Sequence, residues 1–120
     1  MIFKESYSGE HPVQFAALKK QLKQIPSKVI FISGDVHFSE VSRIESEAFG
    51  YPTYEFTSSS IHSQKVPGAP GIIKNPRRVA SAGKNNYLLV SSESEGLGAK
   101  GWVESRSAGG ALNFSFEFRT

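Results

Sequence analysis

The chain has 120 residues, the size of a single domain with a modest hydrophobic core. Hydrophobic residues make up 38% of it and aromatic residues 12%, so the chain is expected to fold. It has no cysteine, which excludes disulfides, thiolate metal sites and cysteine nucleophiles, and its net charge of +3 is too small to indicate a nucleic-acid partner.

The first third of the sequence predicts a loop, a helix and a buried strand. Residues 1–11 are polar and irregular, which is typical of a loop. A helix is predicted over Pro12–Gln24, because proline suits the first helical turn, apolar residues recur at helical spacing and Pro26 follows. The continuous apolar run Val29–Ile32 then predicts a strand that is buried on both faces.

The middle of the sequence gives weaker signals. Ser39–Glu47 favours one or two helical turns with Ser39 as the cap, although residues 40–43 also fit a strand. Thr53–Thr57 alternates as a strand does. Gln64–Lys84 contains three prolines and three glycines, so we expect a long loop without a regular element.

The last third predicts strands over three segments: Asn86–Ser92, Gly101–Ser107 and Ala111–Arg119. Gly109-Gly110 is a hairpin turn signal between the last two. The final segment places four apolar side chains on one face, Leu112, Phe114, Phe116 and Phe118, and we expect its phenylalanine stripe in the core. The sequence therefore predicts one α+β domain over residues 1–120, with an N-terminal helix and a buried strand followed by a mostly antiparallel sheet.

The candidate chemistry follows the predicted buried strand. Asp35, the only aspartate, and His37, one of three histidines, lie two positions apart just after Gly34. A carboxylate and an imidazole on a rigid support can bind a metal ion. The alternative is a strand end where Asp35 caps the turn and His37 is merely exposed; residue types alone leave both open.

The sequence around these residues resembles a known family. Ile32–Glu40 reads Ile-Ser-Gly-Asp-Val-His-Phe-Ser-Glu, similar to the Gly-Asp-x-His block of the alkaline phosphatase D (PhoD-like) branch of the calcineurin-like metallophosphoesterases. Three further segments resemble blocks of that family in the same order: Glu5–Gly9, Tyr51–Ser59 and Asn75–Val79. The resemblance spans nearly the whole chain but only the family's C-terminal part, and Asn86-Tyr87-Leu88 departs from the expected Asn-Phe-Gly.

This resemblance implies hydrolysis of phosphate monoesters or diesters by a two-metal centre, on the C-terminal half of a metallophosphoesterase β-sandwich. It implies that Asp35 and His37 are catalytic residues, with His37 a ligand for iron, calcium, manganese or zinc and Asp35 either a second ligand or a neighbour that does not touch the metal. It also implies that His62 and Arg77 contact the phosphate-ester substrate, with Arg78 as the alternative arginine; the ordinary interpretation is a surface histidine and a solvated arginine pair.

Two metal ions need roughly six to eight protein ligands, and this chain offers two convincing ones and a third candidate. The sequence therefore predicts a segment that is inactive alone and needs the family's N-terminal motifs. An N-terminal half or a second copy of the chain is the expected protein partner, because the exposed sheet face would otherwise lack a cover.

Other functions stay open. A non-catalytic binding or interaction module that keeps the phosphoesterase scaffold is the main alternative. A metal-free serine hydrolase would use Ser58–Ser60, His62 and Asp35, but the sequence lacks a Gly-x-Ser-x-Gly elbow. The sequence shows no apolar run of the roughly 18–20 residues that span a membrane and no signal peptide, although members of the family are often exported.

Overall fold

The computed structural model describes residues 7–34, 37–58 and 74–120 of the chain. Within these residues the chain forms three helices and seven strands in two sheets. The helices are α1 (Tyr7–Glu10), α2 (Pro12–Gln24) and α3 (Ser46–Phe49), and the strands are β1 (Phe31–Ser33), β2 (Ser39–Ile44), β3 (Thr53–Thr57), β4 (Arg78–Ala82), β5 (Asn86–Glu95), β6 (Gly98–Ser107) and β7 (Leu112–Arg119). The α+β class and the mostly antiparallel pairing are confirmed.

The first sheet has four strands in the order β1-β3-β2-β4. β2 pairs antiparallel with both β3 and β4, whereas β1 pairs parallel with β3. Consecutive strands β2 and β3 are antiparallel neighbours joined through α3, which ends at Gly50 with a φ of 87°. Only glycine adopts that left-handed conformation without strain, so Gly50 lets the chain turn back along β2.

The prediction that Val29–Ile32 forms a strand buried on both faces is wrong. β1 covers only Phe31–Ser33, and among the described residues it pairs with β3 alone, so it is an edge strand. Ile32 is 74% exposed. It shares a face with its register partner Phe56, but the second sheet packs over Phe56 and leaves Ile32 uncovered.

Three other local predictions need correction. Ser39–Ile44 is a strand, and the helical turn comes later, over Ser46–Phe49. The predicted loop Gln64–Lys84 contains β4, which completes the edge of the first sheet beside β2. The predicted N-terminal loop contains the short helix α1. Pairing with distant strands decides the conformation of β2 and β4, because their local propensities are weak.

The second sheet is an antiparallel meander in the order β5-β6-β7. The predicted turn at Gly109-Gly110 is confirmed, since β6 and β7 pair directly through it and Gly110 has a φ of 90°. β5 and β6 form a longer hairpin than expected, with ten residues in each strand.

The hydrophobic core lies between the two sheets. Its fully buried side chains are Val41 and Phe56 from the first sheet and Val103 and Phe118 from the second. Phe114 and Phe116 pack against this cluster, which together with the buried Phe118 confirms the predicted phenylalanine stripe of β7. Leu112, at the beginning of β7, is 52% exposed.

Helix α2 has the predicted bounds Pro12–Gln24 and is confirmed. Its apolar side chains Phe15, Leu18 and Leu22 are only half-buried, so the helix rests loosely on the molecule. Within the three described stretches, the structure has no helix long and apolar enough to cross a membrane.

Candidate functional site

The candidate site lies at the edge of the first sheet where β1 and β3 end. These strands are parallel, with Ser33 paired to Thr57, and the backbone N–H of Ser58 donates a 3.0 Å hydrogen bond to the carbonyl of Ser33. Glu40, near the start of β2, also pairs with Thr57. The connections that follow β1 and β3 therefore begin side by side, the arrangement in which sheet proteins commonly place functional loops.

His37 stands in the first of these connections and has a left-handed backbone, with a φ of 63°. It is half-buried, and the next residue, Phe38, is 2% exposed. A side chain in the left-handed region costs roughly 1–2 kcal/mol, so the surrounding structure must hold it there. Among described residues other than glycine, His37 alone has a positive φ.

The backbone of His37 leads to a testable stability difference. We expect His37→Gly to be more stable than His37→Ala by about 0.5–1 kcal/mol, because glycine avoids the left-handed strain and this outweighs its larger entropy in the unfolded chain. Urea denaturation of the two variants measures the difference. Ala108→Gly, in an exposed turn with ordinary φ, is the matched control and should lower stability instead. If glycine is also the less stable variant at position 37, the strain does not exist.

A polar cluster lines the sheet face just inside this edge. The Ser33 hydroxyl donates to the Glu55 carboxylate at 2.7 Å and lies 2.9 Å from the Thr57 hydroxyl. All three side chains come from β1 and β3 and point to the face opposite the core. They tie the two parallel strands together beside the point where both connections begin.

A second cluster, centred on Glu40, joins β2 to β4 and to the segment before it. One carboxylate oxygen of Glu40 accepts a 2.6 Å hydrogen bond from Arg78 Nε, and the other accepts from Asn75 Nδ2 at 3.1 Å. Asn75 Nδ2 also donates to the Ser42 hydroxyl at 2.8 Å. The Arg78 guanidinium carbon lies 5.4 Å from the centre of the Phe38 ring. We call Phe38, Glu40, Asn75 and Arg78 the β2 anchor.

Arg77, predicted to contact substrate, is placed away from His37. Its carbonyl accepts a hydrogen bond from the Arg43 N–H at 2.8 Å. Arg43 lies four residues along β2 from Ser39, so these two residues are roughly 13 Å apart at about 3.3 Å per residue. Its side chain is 58% exposed and forms a 2.7 Å ion pair with Glu45. A backbone hydrogen bond to the Glu45 carboxylate, together with that from Arg77, holds the pKa of Glu45 below its ordinary value. A role for Arg77 in substrate binding stays a prediction.

A groove of about 500 Å³ opens between α2 and the non-core face of the first sheet. Phe15, Phe31 and Phe49 contribute its aromatic lining, and the Phe31 and Phe49 rings lie 5.0 Å apart. Arg77 lines this groove and His37 does not. The structure therefore associates the two neighbouring arginines with different surroundings: Arg77 with the groove and Arg78 with the β2 anchor.

The remaining predicted site residues, Asp35 and His62, lie outside the described residues, as do Ser59 and Ser60 of the serine-hydrolase alternative. Ser58 is described and stands at the start of the connection after β3. The imidazole of His37 is a suitable ligand for iron or zinc. However, residues 7–34, 37–58 and 74–120 contain no group of three or more potential metal ligands. The described side chains include ligands of a suitable type for a metal ion, but they are too few to hold it by themselves.

Sequence reasoning missed Glu40 and its role at the site. A weak signal for it exists, since Glu40 and Ser42 lie on one face and Val41 on the other once residues 39–44 are taken as a strand. The pattern does not appear when Ser39–Glu47 is interpreted as helical turns. Comparison of the chain with protein-family models, with curated proteins and with solved structures gave no match.

Proposed function

We propose that this chain supplies one part of the active site of a metal-dependent phosphatase or phosphodiesterase of the PhoD-like kind. The observation that supports the proposal is the parallel pairing of β1 with β3. It starts the connection that contains Asp35 and His37 beside the connection that contains Ser58 and, further on, His62. These are the two segments in which the family resemblance puts ligand and substrate-binding side chains.

In this proposal His37, with Asp35, contributes ligands to a metal centre that needs further ligands from another polypeptide. The small number of donors among the described residues favours such sharing. Iron, calcium, manganese and zinc all remain candidate metals, because carboxylate and imidazole ligands serve each of them in different proportions. The substrate would be a phosphate ester, and the chain alone is expected to be inactive.

Manganese binding tests the ligand role directly. Mn²⁺ is paramagnetic, so an ion bound at His37 should broaden the NMR signals of the His37 ring while leaving those of His11, beside α2, sharp. We expect His37→Ala to weaken Mn²⁺ binding by more than about tenfold and His11→Ala to leave it unchanged. Equal broadening at both histidines, or none at millimolar Mn²⁺, would contradict a metal site at His37.

Turnover of p-nitrophenyl phosphate and of its bis-ester tests the incompleteness of the site. The chain alone should hydrolyse neither compound above the rate of buffer with metal. Binding of two metal ions per chain, together with hydrolysis that His37→Ala abolishes, would instead show that this chain holds a complete centre.

An interaction module that keeps the scaffold without catalysis is the second candidate, and the exposed edge of β1 favours it. Among the described residues β1 pairs on one side only, and such an edge, with the 74% exposed Ile32, can pair with a strand of an N-terminal half or of a second copy. This function predicts association that His37→Ala does not change, and no preference of Mn²⁺ for His37. Sedimentation equilibrium of the wild type and of His37→Ala, combined with the Mn²⁺ titration, distinguishes the interaction module from the metal-dependent phosphatase.

A further inference from the structure

We infer that Arg78 is a positioning residue for His37, acting through the β2 anchor. The effect of Arg78 on metal binding rests on the proposed function, whereas its effect on the backbone of His37 does not. Arg78 lies 41 positions after His37 in the sequence. Its guanidinium nevertheless lies over the ring of Phe38, the residue next to His37, and its Nε donates to Glu40 near the start of β2.

The ion pair at the centre of the anchor is sheltered from solvent. The side chains of Arg78 and Glu40 are 16% and 12% exposed, and the Nε and carboxylate oxygen are 2.6 Å apart. By contrast, the neighbouring pair of Arg77 and Glu45 is more than half exposed on both sides. Screening by water and salt weakens the exposed pair far more than the sheltered one.

The anchor also holds Glu40 from a second side. Asn75 donates to the other oxygen of Glu40, and Asn75 is itself fixed because its side-chain oxygen accepts the N–H of Arg77 at 3.0 Å and its carbonyl accepts the N–H of Arg78 at 3.1 Å. The turn before β4 thus clamps the start of β2 through charged and neutral hydrogen bonds. Rotation of Glu40 would break both.

His37 lies immediately before this clamped segment. Its left-handed backbone persists only if the surrounding structure holds it there. Phe38 is 2% exposed with the Arg78 guanidinium over its ring, so the C-terminal side of His37 is fixed by the anchor. Loss of the guanidinium removes the charged partner of Glu40 and the group over the Phe38 ring, and the weakened anchor lets His37 relax to an ordinary conformation.

Stability alone does not account for this arrangement. A sheltered ion pair recovers little net free energy after both charges lose their hydration, and apolar substitutes of similar size are often as stable. The pair is better explained by the single conformation that it specifies. Arg78→Met keeps the packing stem and removes the charge, so it separates positioning from folding.

The test uses the whole chain with Arg78→Met, Arg78→Lys and the control Arg77→Met. A residue with φ near 60° gives a strong NOE between its own amide and α protons. We expect this NOE at His37 to be strong in the wild type and in Arg77→Met, reduced in Arg78→Lys and lost in Arg78→Met. The Mn²⁺ affinity at His37 should fall about tenfold in Arg78→Met and stay unchanged in Arg77→Met.

A persistent strong NOE at His37 in a folded Arg78→Met would overturn the inference. If Arg78→Met does not fold, Arg78→Lys decides: an unchanged NOE and affinity there overturn it as well. If the wild type gives the strong NOE but does not bind Mn²⁺ at His37, the proposed function fails while the NOE series still tests positioning. If Mn²⁺ binds and the NOE follows Arg78, both stand.

Discussion

Replacing Phe56 with alanine is expected to lower the free energy of unfolding by about 3–5 kcal/mol. Phe56 is fully buried at the centre of β3 and belongs to the cluster that joins the two sheets. Its ring lies 5.2 Å from that of Phe118 and 6.3 Å from that of Tyr54. Alanine would leave a cavity between the sheets that neighbouring rings cannot fill without moving their strands. Since domains of this size are stable by only about 5–15 kcal/mol, the loss is large.

Urea denaturation followed by circular dichroism measures this loss. Leu112→Ala is the control, since Leu112 is 52% exposed and its truncation should cost well under the loss at Phe56. Phe56→Leu, which keeps most of the volume, should cost about 1 kcal/mol and gives a folded variant if Phe56→Ala does not fold. Equal losses at Phe56 and Leu112 would contradict the core described above.

Gly101→Ala is expected to destabilise the protein by about 1–3 kcal/mol, towards the upper end of that range. A Cβ atom at Gly101 would lie 2.2 Å from Cζ of Phe118 and 2.7 Å from each of its Cε atoms. Phe118 is 4% exposed and closes the core at its end of β7, so its ring has no free space to enter. The glycine is required here for the close approach of the ring.

Gly109→Ala is the matched control, because nothing lies within 4 Å of a Cβ at Gly109 and its φ is not left-handed. The double variant Gly101→Ala, Phe118→Leu should lose less stability than the sum of the two single variants, since the clashing ring is absent. Additive losses, or equal effects at the two glycines, would show that Phe118 does not press on β6.

Elements that depend on neighbouring residues could be predicted from the sequence. Pro12–Gln24 begins at a proline and ends just before Pro26, and both signals act locally. The β6–β7 hairpin likewise follows from alternation around Gly109-Gly110. These elements need no information about distant partners, and their bounds are right or nearly so.

Elements decided by distant partners could not be predicted. A short apolar run such as Val29–Ile32 has the same pattern at the centre of a sheet and at its edge, and only the order of the strands distinguishes them. Ser39–Ile44 becomes a strand because β3 and β4 pair with it on both sides. The division of the described strands into two facing sheets likewise depends on pairings between residues far apart in the sequence.

Some features of the candidate site could likewise be predicted from the sequence, and others could not. The spacing of Asp35 and His37 after a strand pointed to the connection, but not to the left-handed backbone of His37. Two adjacent arginines, Arg77 and Arg78, are indistinguishable in the sequence, yet one faces solvent and the other is sheltered against Glu40. The two arginines can be told apart only when it is known that β4 begins at Arg78 and pairs with β2.

The parallel pairing of a three-residue β1 with β3 has a consequence for local opening. In the part of the chain that the structure describes, β1 pairs with one strand alone, so its hydrogen bonds can open while the sandwich between the two sheets stays folded. Such an opening would part the two connections that begin at this edge. A ligand that contacts both connections would bind only molecules in which β1 is paired with β3. Its apparent affinity would therefore fall as the fraction of molecules with a detached β1 rises.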